Sequence, residues 1–127
     1  MIRFPVLLVA GLVSAVLMEL ASMAWMQLIP AGTDLTANYF LMVVLPVALV
    51  LHFLMALLLW KAFEPAPKTG GALYLGTHII TQGTLLFLLG NPVTDIVQFC
   101  ATLLVSGVMI LFVFNRYFWC PHCVGPV

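Results

Sequence analysis

Charge is what this chain has least of. Its 127 residues include four Lys or Arg and four Asp or Glu, 6% in all, with a net charge of zero. Soluble domains carry about 25% charged residues, so this chain has too little polar material to clothe a water-soluble surface. It has no basic run, which excludes a nucleic-acid partner, and no internal repeat. What it has instead is hydrocarbon: 65% of its residues are hydrophobic and its mean hydropathy is +1.23. Composition therefore predicts an all-α integral membrane protein, one domain over residues 1–127, with the lipid bilayer as its main solvent.

A bilayer core takes roughly 20 mostly apolar residues per helix. Four runs qualify, at about 4–29, 39–60, 71–89 and 96–119. The first exceeds the 7–15-residue core of a signal peptide, so it is expected to be a true span. Helix breakers sit between the runs: Pro30-Ala31-Gly32, then Glu64 to Gly70, then Gly90-Asn91-Pro92. Asp34 and Asp95 precede the second and fourth runs, where a carboxylate suits a helix start. Pro46 falls inside the second and is expected to kink it. Short loops predict four transmembrane helices in an up-down antiparallel bundle.

Arg3, Lys61, Lys68 and Arg116 all fall on one side of such a bundle, and the loops on the other side contain no basic residue. The positive-inside rule then places both termini in the cytoplasm, with the chain in the plasma (inner) membrane. Trp60, Tyr74, Tyr117 and Trp119 would anchor the inner interface, Trp25 and Tyr39 the outer one.

Glu19 is the only charged residue deep in a span. A charge there costs about 2.5–3.5 kcal/mol on insertion scales, which makes an intramembrane acid a functional hypothesis by default. It lies on a face of small residues with Gly11, Ala15 and Ser22. The alternative is a protonated Glu19 that serves as hydrogen-bonded glue. His52 and His78 are expected at a common depth, roughly 4 Å inside the midplane at about 1.5 Å per residue. With Glu19, Thr81 and Gln82 they form a candidate polar cluster. Such a cluster suits three chemistries: axial ligation of haem b, a metal ion held by imidazole and carboxylate, or a proton relay. The plain alternative is that each histidine hydrogen-bonds a helix neighbour. Met23 and Met26 form an MxxM pair of the kind soft Cu(I) transporters use, although methionine also fills gaps in apolar cores.

Length, span count and Glu19 resemble the small multidrug resistance transporters. That resemblance implies a homodimer in which Glu19 couples protons to cations. The tail Cys120-Pro121-His122-Cys123 is similar to the active-site tetrapeptide of periplasmic thioredoxin-fold disulfide oxidases. It also resembles one knuckle of a zinc ribbon, with Cys120, Cys123 and His122 as candidate metal ligands. One knuckle supplies two thiolates where zinc takes four ligands, so a dimer mate or another subunit would complete it. A cytoplasmic tail lies in a reducing compartment, and the oxidase chemistry of four-helix quinone-linked thiol oxidases belongs to the opposite face.

Three functions follow as expectations. The first is an accessory subunit of a larger membrane complex, with a haem or quinone contact at His52 and His78. The second is a small proton-coupled or metal-ion transporter using Glu19. The third is a membrane thiol-disulfide oxidoreductase using Cys120 and Cys123. Complete catalytic constellations are missing from the sequence, so activity of its own is not expected under the first reading.

Overall fold

A computed structural model describes residues 3–30, 32, 39–64 and 66–119. The described residues are 91% helical, without strands. Helix α1 spans Arg3–Leu28, α2 spans Leu45–Leu58, α3 is the short turn Trp60–Phe63, α4 spans Pro67–Leu88 and α5 spans Val93–Phe114. A π-helical turn, Phe40–Val44, leads into α2, and another, Asn115–Trp119, extends α5. Among the described residues, three stretches are long and apolar enough to cross a membrane: Phe4–Leu28, Phe40–Leu58 and Val93–Phe118. The fold is that of a helical membrane protein. Asp34 and the Cys120–Cys123 tail lie outside the described residues.

Each boundary has a chemical cause. Pro67 opens α4, where a missing N–H is harmless. Its other end closes on Gly90 at φ +84, with Gly90 N–H donating to Phe87 O and Asn91 N–H to Leu86 O. These are the paired bonds of a Schellman cap, and the left-handed residue between them favours glycine. Pro92 then holds extended backbone, and α5 starts with Asp95 in its first turn, as the sequence predicts.

Pro46 stands in the first turn of α2, directly after the π turn. Lacking an N–H, it cannot bond the carbonyl of Met42 four residues earlier. That carbonyl instead accepts the Trp25 indole N–H of α1 at 2.8 Å. Just upstream, the Leu45 N–H reaches Phe40 O, the wide π register. One proline thus frees an acceptor that ties α2 to α1.

Contacts between helices set their directions. Helix α1 packs most extensively on α4, and the two run parallel: Gly70 lies against Leu7, Gly11 against Tyr74 and Thr77, Ser14 meets His78, and Glu19 meets Gln82. Helices α4 and α5 are antiparallel, with Gly71 facing Leu111, Leu75 facing Gly107 and Gly83 facing Cys100. Helices α2 and α5 run parallel through Phe40–Phe99 and Phe53–Phe114 ring pairs. Successive long helices therefore alternate in direction, while the tightest seam joins the parallel pair α1 and α4. Gly11 makes that seam possible: a Cβ there would sit 2.7 Å from Thr77 Cβ and 2.8 Å from Tyr74 O.

The bundle is apolar outside and partly polar inside. Large apolar side chains such as Val9, Leu20, Met23, Leu58, Ile80 and Leu88 are exposed. Ser14, Ser22, His52, His78, Gln82 and Ser106 are buried. Helix α4 spends its inward positions on Tyr74, His78 and Gln82, which is why it carries less apolar character than the three candidate spans.

Candidate functional site

The buried polar groups of α4 follow its helical repeat. Tyr74, His78 and Gln82 recur every four residues and so stand on one face, one turn apart. Each meets a polar partner. At the Gly90 end, Gln82 Nε2 donates to Glu19 Oε1 of α1. In the middle, His78 Nδ1 lies 2.5 Å from Ser14 Oγ. At the opposite end, the Tyr74 hydroxyl lies 3.0 Å from His52 Nδ1 of α2. The rings of His52 and His78 touch edge to face, with centroids 5.2 Å apart. Both histidines and Tyr74 are fully buried.

Hydrogen-bond accounting leaves specific atoms over. The Ser14 hydroxyl donates to Gly11 O at 3.0 Å. The Nε2 atoms of both histidines, Gln82 Oε1 and Ser22 Oγ are buried without a hydrogen-bond partner. Orphans of this kind cost about 1–3 kcal/mol each when nothing completes them.

Glu19 has a different setting. It is half-buried and lines a cavity of about 500 Å³ together with Tyr39, Phe40, Leu86, Leu89, Asn91, Asp95 and Phe99. That volume lies in the range of small-molecule sites. Two carboxylates, an amide, a phenol and two phenyl rings suit a cation, through charge and through aromatic faces. The cavity sits toward the turn between α4 and α5, away from Lys61, Lys68 and Arg116.

Of the residues that sequence singled out, the structure joins Glu19 to Gln82 and His52 to His78. It does not merge the two pairs: among the described residues no three His, Cys, Asp or Glu side chains gather as a metal-ligand group. Thr81 is half-buried and takes no part in these bonds. Tyr74 is not an interfacial anchor; it is wholly buried and serves His52. Ser14 was the residue sequence reasoning passed over. Its signal was a place three residues from Gly11, on the small-residue face of α1.

Haem b does not fit this packing. Two imidazoles in direct ring contact, both wholly buried, leave no slot for a porphyrin plane between them.

Fold and site together define a helical membrane protein with a polar column inside an apolar bundle and an acidic cavity at one end. Comparison with protein-family models, with curated proteins and with solved structures finds no match.

Proposed function

We propose that the chain is a small proton-coupled cation transporter in which Glu19 is the coupling carboxylate. The observation that carries this reading is the placement of Glu19 in the wall of the 500 Å³ cavity, beside Asp95 and held by Gln82. A carboxylate in that position takes either a proton or a cation, and each displaces the other. Gln82 fixes the orientation of the acid, and Tyr39, Phe40 and Phe99 supply faces for an organic cation. An accessory subunit of a larger membrane complex is the second reading; it rests on the small polar surface and the lack of a complete catalytic constellation, not on a haem.

In this proposal α4 is a fourth span: its 22 residues reach about 33 Å at about 1.5 Å per residue. Its buried polar side chains, Tyr74, His78 and Gln82, find their partners on α1 and α2. The positive-inside rule then sets both termini in the cytoplasm and turns the cavity outward. Impermeant thiol reagents applied to intact cells should leave Cys120 and Cys123 unlabelled; labelling would reverse the orientation.

The test of coupling is proton release from purified protein in proteoliposomes on addition of tetraphenylphosphonium or a metal cation. Wild type should release protons, Glu19→Gln should not, and Glu19→Asp should retain part of the response. Equal release from wild type and Glu19→Gln would overturn the proposal.

A further inference from the structure

We propose that His52 and His78 form a buried two-nitrogen site for a soft monovalent metal ion, Cu(I). The positions of the ring protons decide what the two imidazoles can bind. Ser14 has one hydroxyl proton, and Gly11 O takes it. Toward His78 the Ser14 oxygen can only accept, so the proton between them belongs to His78 Nδ1. The Tyr74 hydroxyl lies 3.0 Å from His52 Nδ1, where its oxygen can accept an Nδ1–H. His78 thus carries its proton on Nδ1 and presents a bare lone pair at Nε2, and His52 does the same in the tautomer that donates Nδ1–H to Tyr74.

Both Nε2 atoms are buried, without a partner, on rings in contact. Histidines that hold a metal use this arrangement: Nδ1–H is donated to an oxygen, which fixes the tautomer, and Nε2 is left for the ion. One ion at about 2 Å from each nitrogen needs the two Nε2 atoms within about 4 Å, a span that rings 5.2 Å apart can supply.

Charge and softness choose the ion. The ligand pair is neutral, and among the described residues no group of three or more His, Cys, Asp or Glu exists to add carboxylate or thiolate. Zinc takes four ligands, and a divalent ion in this apolar core would remain largely uncompensated. Cu(I) accepts few, soft donors. Met18, one turn beyond Ser14, and Met55, one turn beyond His52, are thioethers buried in the same core. This site is separate from the cavity at Glu19 and does not depend on its role.

The experiment uses the full chain with Cys100, Cys120 and Cys123 changed to serine, because thiols bind Cu(I) themselves. Competition against a chromophoric Cu(I) chelator under anaerobic, reducing conditions should give one Cu(I) per chain. His52→Ala or His78→Ala should lower the affinity at least 100-fold, and Ser14→Ala by roughly 10–100-fold. Glu19→Gln should leave it unchanged, which separates this site from the transport reading. X-ray absorption on the loaded cysteine-free chain with both histidines intact should give a low-coordinate shell containing nitrogen, which requires no histidine variant to fold. Absence of Cu(I) binding, a shell without nitrogen, or full affinity in the double histidine variant would overturn the proposal.

Discussion

His52 and His78 meet edge to face in the middle of the bundle, 5.2 Å between ring centroids, and each hangs from a hydroxyl on a neighbouring helix. Tyr74 of α4 holds the first and Ser14 of α1 holds the second. Three helices are therefore fastened at one level by two imidazoles. The energetic worth of that arrangement is testable residue by residue.

Tyr74→Phe removes the hydroxyl and leaves His52 Nδ1 without a partner. A buried group orphaned in this way costs about 1–3 kcal/mol. Tyr117, also a phenol near a helix end, is 61% exposed, so Tyr117→Phe should change stability by less than about 0.5 kcal/mol. Equilibrium unfolding in mixed micelles compares the two directly.

The glycine seams predict opposite coupling behaviour. A methyl at Gly107 would meet only the Leu75 side chain, at 2.4 Å. A methyl at Gly11 would meet Tyr74 O, a backbone atom, at 2.8 Å. Overpacking of this kind costs about 1–3 kcal/mol. Combining Gly107→Ala with Leu75→Ala should therefore cost less than the sum of the single changes, a coupling of about 0.5–3 kcal/mol. Combining Gly11→Ala with Thr77→Ala should be close to additive, because no side-chain truncation moves a carbonyl.

Pro46→Ala supplies an N–H that competes with Trp25 for Met42 O. Loss of that bond should cost about 0.5–1.5 kcal/mol, and the π turn at Phe40–Val44 should relax toward α geometry. In a chain with Trp60 and Trp119 changed to phenylalanine, Trp25 fluorescence should shift on Pro46→Ala. An unchanged spectrum would count against the indole contact.

Glu19 and Gln82 are joined across α1 and α4 by a single bond, and interhelical bonds in membranes average about 0.6 kcal/mol. Gln82→Leu should cost about that much in stability and blunt cation-driven proton release. Exchanging the partners, Glu19→Gln with Gln82→Glu, keeps a donor opposite an acceptor. The exchanged chain should unfold within about 0.5 kcal/mol of wild type, while a cost equal to the summed single changes would mean that the two side chains do not meet.

The sequence by itself determined the solvent, the helices and the polar residues that matter. With 6% charged residues, no alternative to burial in lipid was available, and runs of apolar residues between prolines and glycines marked the long helices to within a few positions. Glu19, His52, His78 and Gln82 stood out because polarity inside such runs is costly. Pairing was left to the tertiary structure. Helical periodicity says which side chains share a face, but a face carries no label for the helix it will meet. Only packing put the small-residue face of α1 on α4, joined Ser14 to His78 and turned Tyr74 from the interface to His52. Only packing, too, separated Glu19 from the histidines, because α1 and α4 run parallel and each turn of one meets the matching turn of the other.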